Sequence, residues 1–388
     1  MMDSLPQFPW DSLAPYKEQA SFHAGGLVDL SVGTPVDPTP DVVQAALRAA
    51  ADAHGYPQTW GTPALRESVA AWFARRRAVP GVNPDGVLPT VGSKELVAWL
   101  PTLIGAGPGD VVAFPALAYP TYDVGARLAG ASTRLISTVS DLGETPAART
   151  PKLLWVNSPS NPTGQVLGVE QLSEVVGWAR QHGVIVASDE CYAELDWRIN
   201  TSTQGSQLPI PGSVPSILDP AVCEGSHEGL LAVYSLSKQS NMAGYRAGFV
   251  AGDPALVGRL LQIRKHAGMM VPWPVQAAMT AALRDDAHVA VQRARYGARR
   301  GRLRKALESA GYRVEHSEAG LYLWTTADVS GADDGWSLVS EMASMGILVA
   351  PGSFYGAAGG GHVRIALSAT DERINAAVRR LETRRQSG

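Results

Sequence analysis

The chain has 388 residues, 45% hydrophobic and 18% charged, which bounds it to two or three domains with a sizeable core and excludes a disordered chain. A formal net charge of −3 gives nothing to attract nucleic acid or an anionic membrane surface. Only two cysteines, Cys191 and Cys223, fit a reducing cytoplasm without a disulfide framework, and no Cys or His spacing suggests a metal site. Apolar runs fall short of a membrane span, and the N-terminus lacks the basic start and apolar block of a signal peptide.

Residues 1–30 read as an irregular arm. Pro6, Pro9 and Pro15 are expected to break any helix there, while Phe8, Trp10 and Tyr16 need a surface, either another subunit or a smaller domain. Thr39-Pro40 predicts a helix to about residue 53, with Thr39 as N-cap. Thr62-Pro63 predicts a second helix, ending near Arg75-Arg76-Arg77, which reads as a solvated C-terminus complementing the helix dipole.

From about 87 to 252 short apolar runs alternate with helical segments. Strands are expected at 87–91, 111–114, 133–137, 153–157, 184–188, 231–235 and 248–251, with a helix over 170–181. This predicts an α/β fold with a mostly parallel sheet, covered on both faces, whose ligands bind at the carboxyl ends of the strands. Residues 199–229, rich in Gly, Pro and Ser, read as a surface excursion. A long basic helical region is expected from 255 to 307, then strands at 312–315, 321–325 and 363–367 and a helix over 371–385. The expected organisation is an arm (1–30), a smaller α/β domain (31–55 and 285–388) and a larger domain (56–284).

The chemistry-bearing segments fall at predicted strand ends. Lys238, in Ser235-Leu236-Ser237-Lys238, follows the buried run 230–234, and Arg246 lies eight residues on between glycines. A buried lysine loses basicity and becomes a usable amine nucleophile; hydroxyls and an arginine beside it suit a phosphorylated carbonyl compound. The segment also fits a solvated surface loop. Gly92-Ser93-Lys94 opens a helix whose free N–H groups suit a phosphate, with Ser93 either an N-cap or a phosphate donor. Asn161, between Pro159 and Pro162, is either a rigid ligand-facing amide or part of a proline-rich turn. Asp189 can pair with a cationic ring nitrogen, with Tyr192 in reach of the same ligand, or can cap a helix. Cys191 reads as a buried, inert thiol.

Taken in this order, these segments resemble the fold-type I, pyridoxal-phosphate-dependent aminotransferases of class I/II over nearly the whole chain. The most specific matches are the S-x-S-K-x5-G-x-R-x-G, N-P-T-G and D-E-x-Y segments. The resemblance implies that Lys238 carries pyridoxal 5'-phosphate and that Asp189 pairs with the pyridine nitrogen. Asn161 and Tyr192 would bond the ring's phenolic oxygen, and Tyr119 would stack on the ring. Ser93, Lys94, Ser235 and Arg246 would hold the phosphate, joined by Tyr56 from the neighbouring subunit of a homodimer. Gly33, Asn161 and Arg364 would hold the substrate carboxylate. Lys94 departs from the commoner Thr or Ala.

The arm Leu5-Pro6-Gln7-Phe8-Pro9-Trp10, the segment Ser31 to Pro40 and Tyr56-Pro57-Gln58-Thr59-Trp60-Gly61 are further similar to the succinyldiaminopimelate aminotransferases of bacterial lysine biosynthesis. That implies N-succinyl-LL-2,6-diaminopimelate as donor, 2-oxoglutarate as acceptor, and a second cation near the distal end of the pocket. The alternatives are an aspartate, aromatic or prephenate-type aminotransferase, a C–S lyase on the same scaffold, and, furthest, a non-catalytic cofactor-binding regulator.

Overall fold

A computed structural model describes residues 5–143, 150–198, 210–327 and 334–387. Its strands in chain order are β1 (Val28–Asp29), β2 (Val87–Val91), β3 (Val111–Pro115), β4 (Ser132–Ile136), β5 (Leu153–Asn157), β6 (Ile185–Asp189), β7 (Leu230–Ser235) and β8 (Ala247–Gly252), followed by β9 (Tyr312–Glu315), β10 (Tyr322–Ala327), β11 (Ile347–Leu348), β12 (Ala350–Pro351) and β13 (Val363–Ala366). Strands β2 to β8 form one seven-stranded sheet in the order β2-β8-β7-β6-β5-β3-β4. All its pairings are parallel except those of β8, which runs antiparallel to both neighbours. Strands β5, β6 and β7 are buried at every or nearly every position, as strands covered on both faces must be. All seven sheet strands were legible as apolar runs, with ends shifted by a residue or so.

A second, antiparallel sheet has the order β12-β13-β10-β9, and β1 pairs in parallel with β11. The short strands β1, β11 and β12 were not foreseen; each is two residues long, too short to show a period. The long helical region expected from 255 to 307 consists of three helices: Pro254–Ala267, Trp273–Arg284 and Ala287–Ser309. Gly268 in a left-handed conformation ends the first, and Trp273-Pro274 opens the second.

The arm is not irregular. A 3-10 helix spans Pro9–Leu13 and an α-helix spans Ala14–Ser21, each with proline in its first turn, where the missing N–H costs nothing. Tyr16 stacks on Trp336, with ring centroids 5.4 Å apart, so the arm docks on the smaller sheet's helices. Thr39 is not an N-cap: the helix is Asp41–Ala49, its N-cap is Pro40, and the Thr39 hydroxyl donates to the Asn241 carbonyl at 3.1 Å. Thr62 does cap its helix, Pro63–Arg76, accepting from the Leu65 N–H at 3.2 Å. In the stretch 199–229, residues 199–209 lie outside the described residues. The rest is no loose excursion, because Val214, Ile217, Leu218, Val222 and Cys223 are buried in the core.

The basic run at 75–77 is the largest departure. Arg77, only 2% exposed, bonds Glu190 at 3.0 Å and the Val214 carbonyl at 2.9 Å. Arg76 bonds Glu194 at 2.9 Å. Glu190 also accepts from the Ser216 hydroxyl and the Ile217 N–H. Arg76 and Arg77 are a buried ionic tie between the helix end and the segment after β6, while Arg75 pairs with Asp286 at 2.9 Å. Arg77→Met leaves Glu190 charged and buried without its cation, so unfolding stability should fall by about 3–5 kcal/mol, read as a lower urea midpoint. A midpoint unchanged by the substitution refutes the tie's importance.

Candidate active site

The register of the large sheet gathers the site. Asn157 at the end of β5 lies opposite Asp189 at the end of β6, and Ser235 ends β7 beyond Val233, the partner of Asp189. After β7 the backbone turns into a single helical turn, Leu236–Gln239, whose Ser237 N–H is capped by the Ser235 hydroxyl at 3.2 Å. That turn carries Lys238 inward. Its Nζ donates to the Gly33 carbonyl, and burial lowers its pKa, with the Arg364 and Arg246 charges acting in the same direction. The loop reading of this segment is thereby excluded.

The segment bearing Gly33 is fastened from both sides. The Ser368 hydroxyl donates to the Val32 carbonyl at 3.2 Å. Asn241 Nδ2 donates to the Pro38 carbonyl at 3.2 Å, and Asp37 takes two bonds of 2.7 Å from Arg299.

Gly92, with φ of +72°, precedes the helix Ser93–Leu103, so Ser93 is the helix's first residue and not its N-cap. Arg246, itself left-handed, donates to the Ala243 carbonyl at 2.9 Å. A side chain at Gly92 would collide with the Arg246 guanidinium, so only glycine lets the helix N-terminus and this cation converge. Lys94 stands near them, 5.7 Å from the Phe8 ring and 5.9 Å from the Tyr119 ring. Its pKa is lowered by burial and then by Arg246.

Asp189 accepts from the Tyr122 hydroxyl at 3.1 Å and from the Cys191 N–H at 3.2 Å. Burial raises its carboxyl pKa against those bonds. The Cys191 thiol is buried and pushed well up by desolvation and by Asp189, so it is not a nucleophile. Asn161 is held through its N–H by the Asn157 side chain at 2.8 Å, and its Oδ1 accepts from Arg364 Nη1 at 3.0 Å. Arg364 Nη2 donates to the Ser31 carbonyl at 2.8 Å. Its guanidinium lies 3.8 Å above the Tyr322 ring, and its Nε is buried with no partner among the described residues. Tyr192 and Tyr322 share a hydroxyl–hydroxyl bond of 3.2 Å.

Lys238, Ser93, Lys94, Tyr119, Asn161, Asp189, Tyr192, Ser235, Arg246, Gly33 and Arg364 all line one cavity of about 700 Å³. Tyr56 does not; it is 97% exposed on this chain. The arm residues Leu5 to Trp10 also line the cavity. Asn157, Tyr122 and Tyr322 were missed. Tyr122 sits three residues after Tyr119 on the helix Thr121–Leu128, and Tyr322 alternates with Trp324 on β10, so both had a weak periodic signal.

The cradle at Gly92, the orphaned Nε of Arg364 and the buried amine fit a phosphorylated pyridine aldehyde together with a carboxylate-bearing substrate. In fold, the chain is a pyridoxal-phosphate-dependent transferase of fold type I, a mostly parallel α/β sheet with a smaller antiparallel one beside it. It belongs to the family described as aminotransferase class I and II, whose model matches residues 26–381. It is 59% identical, over 98% of this chain and 100% of the relative, to the 4-dedimethylamino-4-oxo-anhydrotetracycline transaminase OxyQ of Streptomyces rimosus. It is 56% identical to the probable aminotransferase Rv1178 of Mycobacterium tuberculosis, over 97% of this chain and 85% of that one. A solved probable N-succinyldiaminopimelate aminotransferase from Thermus thermophilus superposes with a TM-score of 0.81 at 28% identity, over 97% and 100% of the two chains. The chain is an aminotransferase, and the family depends on pyridoxal phosphate.

Proposed function

We propose that Lys238 is the amine that holds the cofactor and then carries the substrate's α-proton. The observation behind this is one buried amine lying between an anion cradle and a separate buried guanidinium. Pyridoxal phosphate, when bound, supplies an electron sink for negative charge at the substrate α-carbon. The rest is the chain's work. Lys238, its basicity lowered by desolvation, takes and returns the proton. Asp189 would hold the pyridine nitrogen, Asn161 and Tyr192 the phenolic oxygen, and Tyr119 the ring. The Ser93 N–H, Lys94, Ser235 and Arg246 would take the phosphate. Arg364 takes the α-carboxylate, with Gly33 and Asn161 beside it, and so fixes which α-bond faces Lys238.

A homodimer belongs to this reading: the nearly full exposure of Tyr56 suits a residue that reaches a second subunit's phosphate. So does the two-domain division at 31–55 plus 285–388 against 56–284, since the seven-stranded sheet falls within the second range and β9 to β13 within the first. Free, buried thiols support a cytoplasmic setting. No helix among the described residues is long and apolar enough to cross a membrane.

For the donor, N-succinyl-LL-2,6-diaminopimelate with 2-oxoglutarate, a step of lysine biosynthesis, is supported by the likeness to the Thermus neighbour. A second reading, a bulky cyclic ketone as amino acceptor, is favoured by the OxyQ likeness and by the apolar and aromatic wall of Leu5, Pro6, Phe8, Trp10 and Tyr119. A panel of amino donors with 2-oxoglutarate, read as glutamate formed, tests both. The succinylated donor should exceed neutral-tailed donors by about tenfold in kcat/KM, with ping-pong kinetics. Turnover only when a polycyclic ketone accepts the amino group of a simple amino acid selects the second reading. Release of ammonia and pyruvate indicates a lyase.

A further inference from the structure

We propose that Tyr322 is a positioning residue that couples the carboxylate-binding cation Arg364 to Tyr192, its ring acting as the platform for the guanidinium and its hydroxyl as the hydrogen-bond partner of the Tyr192 oxygen. The proposal rests on the reading above, in which Arg364 takes the substrate carboxylate and Tyr192 the cofactor's phenolic oxygen. Four observations carry it. Tyr322 comes from β10 of the small sheet, whereas Tyr192 and Lys238 come from the large-sheet side, so its hydroxyl spans the two bodies of the site. The guanidinium carbon of Arg364 lies 3.8 Å from the centre of its ring, closer than to Tyr355 at 4.8 Å or Trp10 at 5.9 Å. The ring edge reaches the backbone of Gly33, where any side chain would collide with the phenol, and the Gly33 carbonyl is the acceptor for Lys238. Only 5% of Tyr322 is exposed.

Tyr322 faces Arg364 and Lys238, with the phenols of Tyr192, Tyr119, Tyr296 and Tyr355 around it. Burial alone would raise its pKa, but the Arg364 and Lys238 charges bring it below the ordinary phenol value. Tyr192, by contrast, is raised well above that value by burial and by Tyr322. The bond of 3.2 Å fixes the Tyr192 hydroxyl in place, and with it the contact that Tyr192 would make with the cofactor oxygen.

Two variants of the holoenzyme separate the two parts of the role. Tyr322→Phe keeps the platform and removes the hydroxyl. The pH midpoint of the bound cofactor's visible absorption band, read without substrate, should rise by about half a unit or more. Its Kd for pentanoate, an unreactive monocarboxylate, should change by less than about threefold, since the ring and Arg364 remain. Tyr322→Leu removes the platform, and pentanoate binding should weaken by about tenfold. An unmoved midpoint in the Phe variant, or unchanged pentanoate binding in the Leu variant, overturns the proposal. Arg364→Leu serves as the control. If it binds pentanoate as well as the unmodified enzyme does, the assignment of Arg364 has failed and the positioning role falls with it; a deficit in Arg364→Leu without one in Tyr322→Leu overturns the positioning role alone.

Discussion

Lys238→Ala is expected to remove transamination, by at least about 10⁴-fold in kcat, together with the visible absorption that marks a lysine-linked cofactor. The size follows from the site. The described lining residues include four cations, Lys94, Lys238, Arg246 and Arg364, and the roles proposed for the other three are anion binding. A guanidinium is no general base, which leaves out Arg246 and Arg364. Lys94 lies between Arg246 and the Phe8 and Tyr119 rings, on the phosphate side. Cys191 is held protonated by burial and by Asp189, so it offers no substitute base. Alanine also leaves the Gly33 carbonyl without its donor, a loss of about 1 kcal/mol that should not unfold the chain. A retained absorption band, or a rate within a hundredfold of the unmodified enzyme, refutes the assignment of Lys238.

Arg364→Leu is expected to lower kcat/KM for α-amino acids by about a thousandfold while leaving the cofactor's spectrum in place. The guanidinium is buried and held by Asn161, the Ser31 carbonyl and three aromatic faces, so its fork is set before substrate arrives. Removing one partner of a buried charge-assisted pair costs about 2–5 kcal/mol, and about 1.4 kcal/mol is a factor of ten. Arg364→Lys should recover little, because an ammonium cannot reproduce the planar fork. The same kcat/KM for a free amino acid and for its amide, which lacks the α-carboxylate, would refute the role directly. Steady-state kinetics on purified protein, with the spectrum as the check on cofactor loading, decides it.

Much of this site could be read in the chain because its parts sit where local pattern changes. Asp189, Asn157–Asn161 and Lys238 each follow an apolar run, and a polar residue that ends such a run is conspicuous. The large sheet was legible for the same reason: β5, β6 and β7 are buried throughout and contain little but apolar residues until their final positions. What stayed hidden depended on partners far away in sequence. Arg76 and Arg77 look like an exposed helix end until Glu194 and Glu190, more than a hundred residues on, are folded against them. Tyr322 is an ordinary strand aromatic until β13 brings Arg364 over its face. The arm was misread because proline carries two messages, stopping a helix from within and starting one at its first turn, and only the fold chooses.

The wall formed by Leu5 to Trp10 has an evolutionary consequence. These residues border the cavity, yet they belong to no strand of either sheet, and the Ala14–Ser21 helix anchors them from outside through Tyr16 and Trp336. Drift in half a dozen positions there can reshape what the enzyme accepts without touching the parts that fold it or move its proton. Grafting that stretch between relatives is therefore a direct route to exchanging their preferences, and descendants of one ancestor could diverge in substrate long before they diverge in architecture.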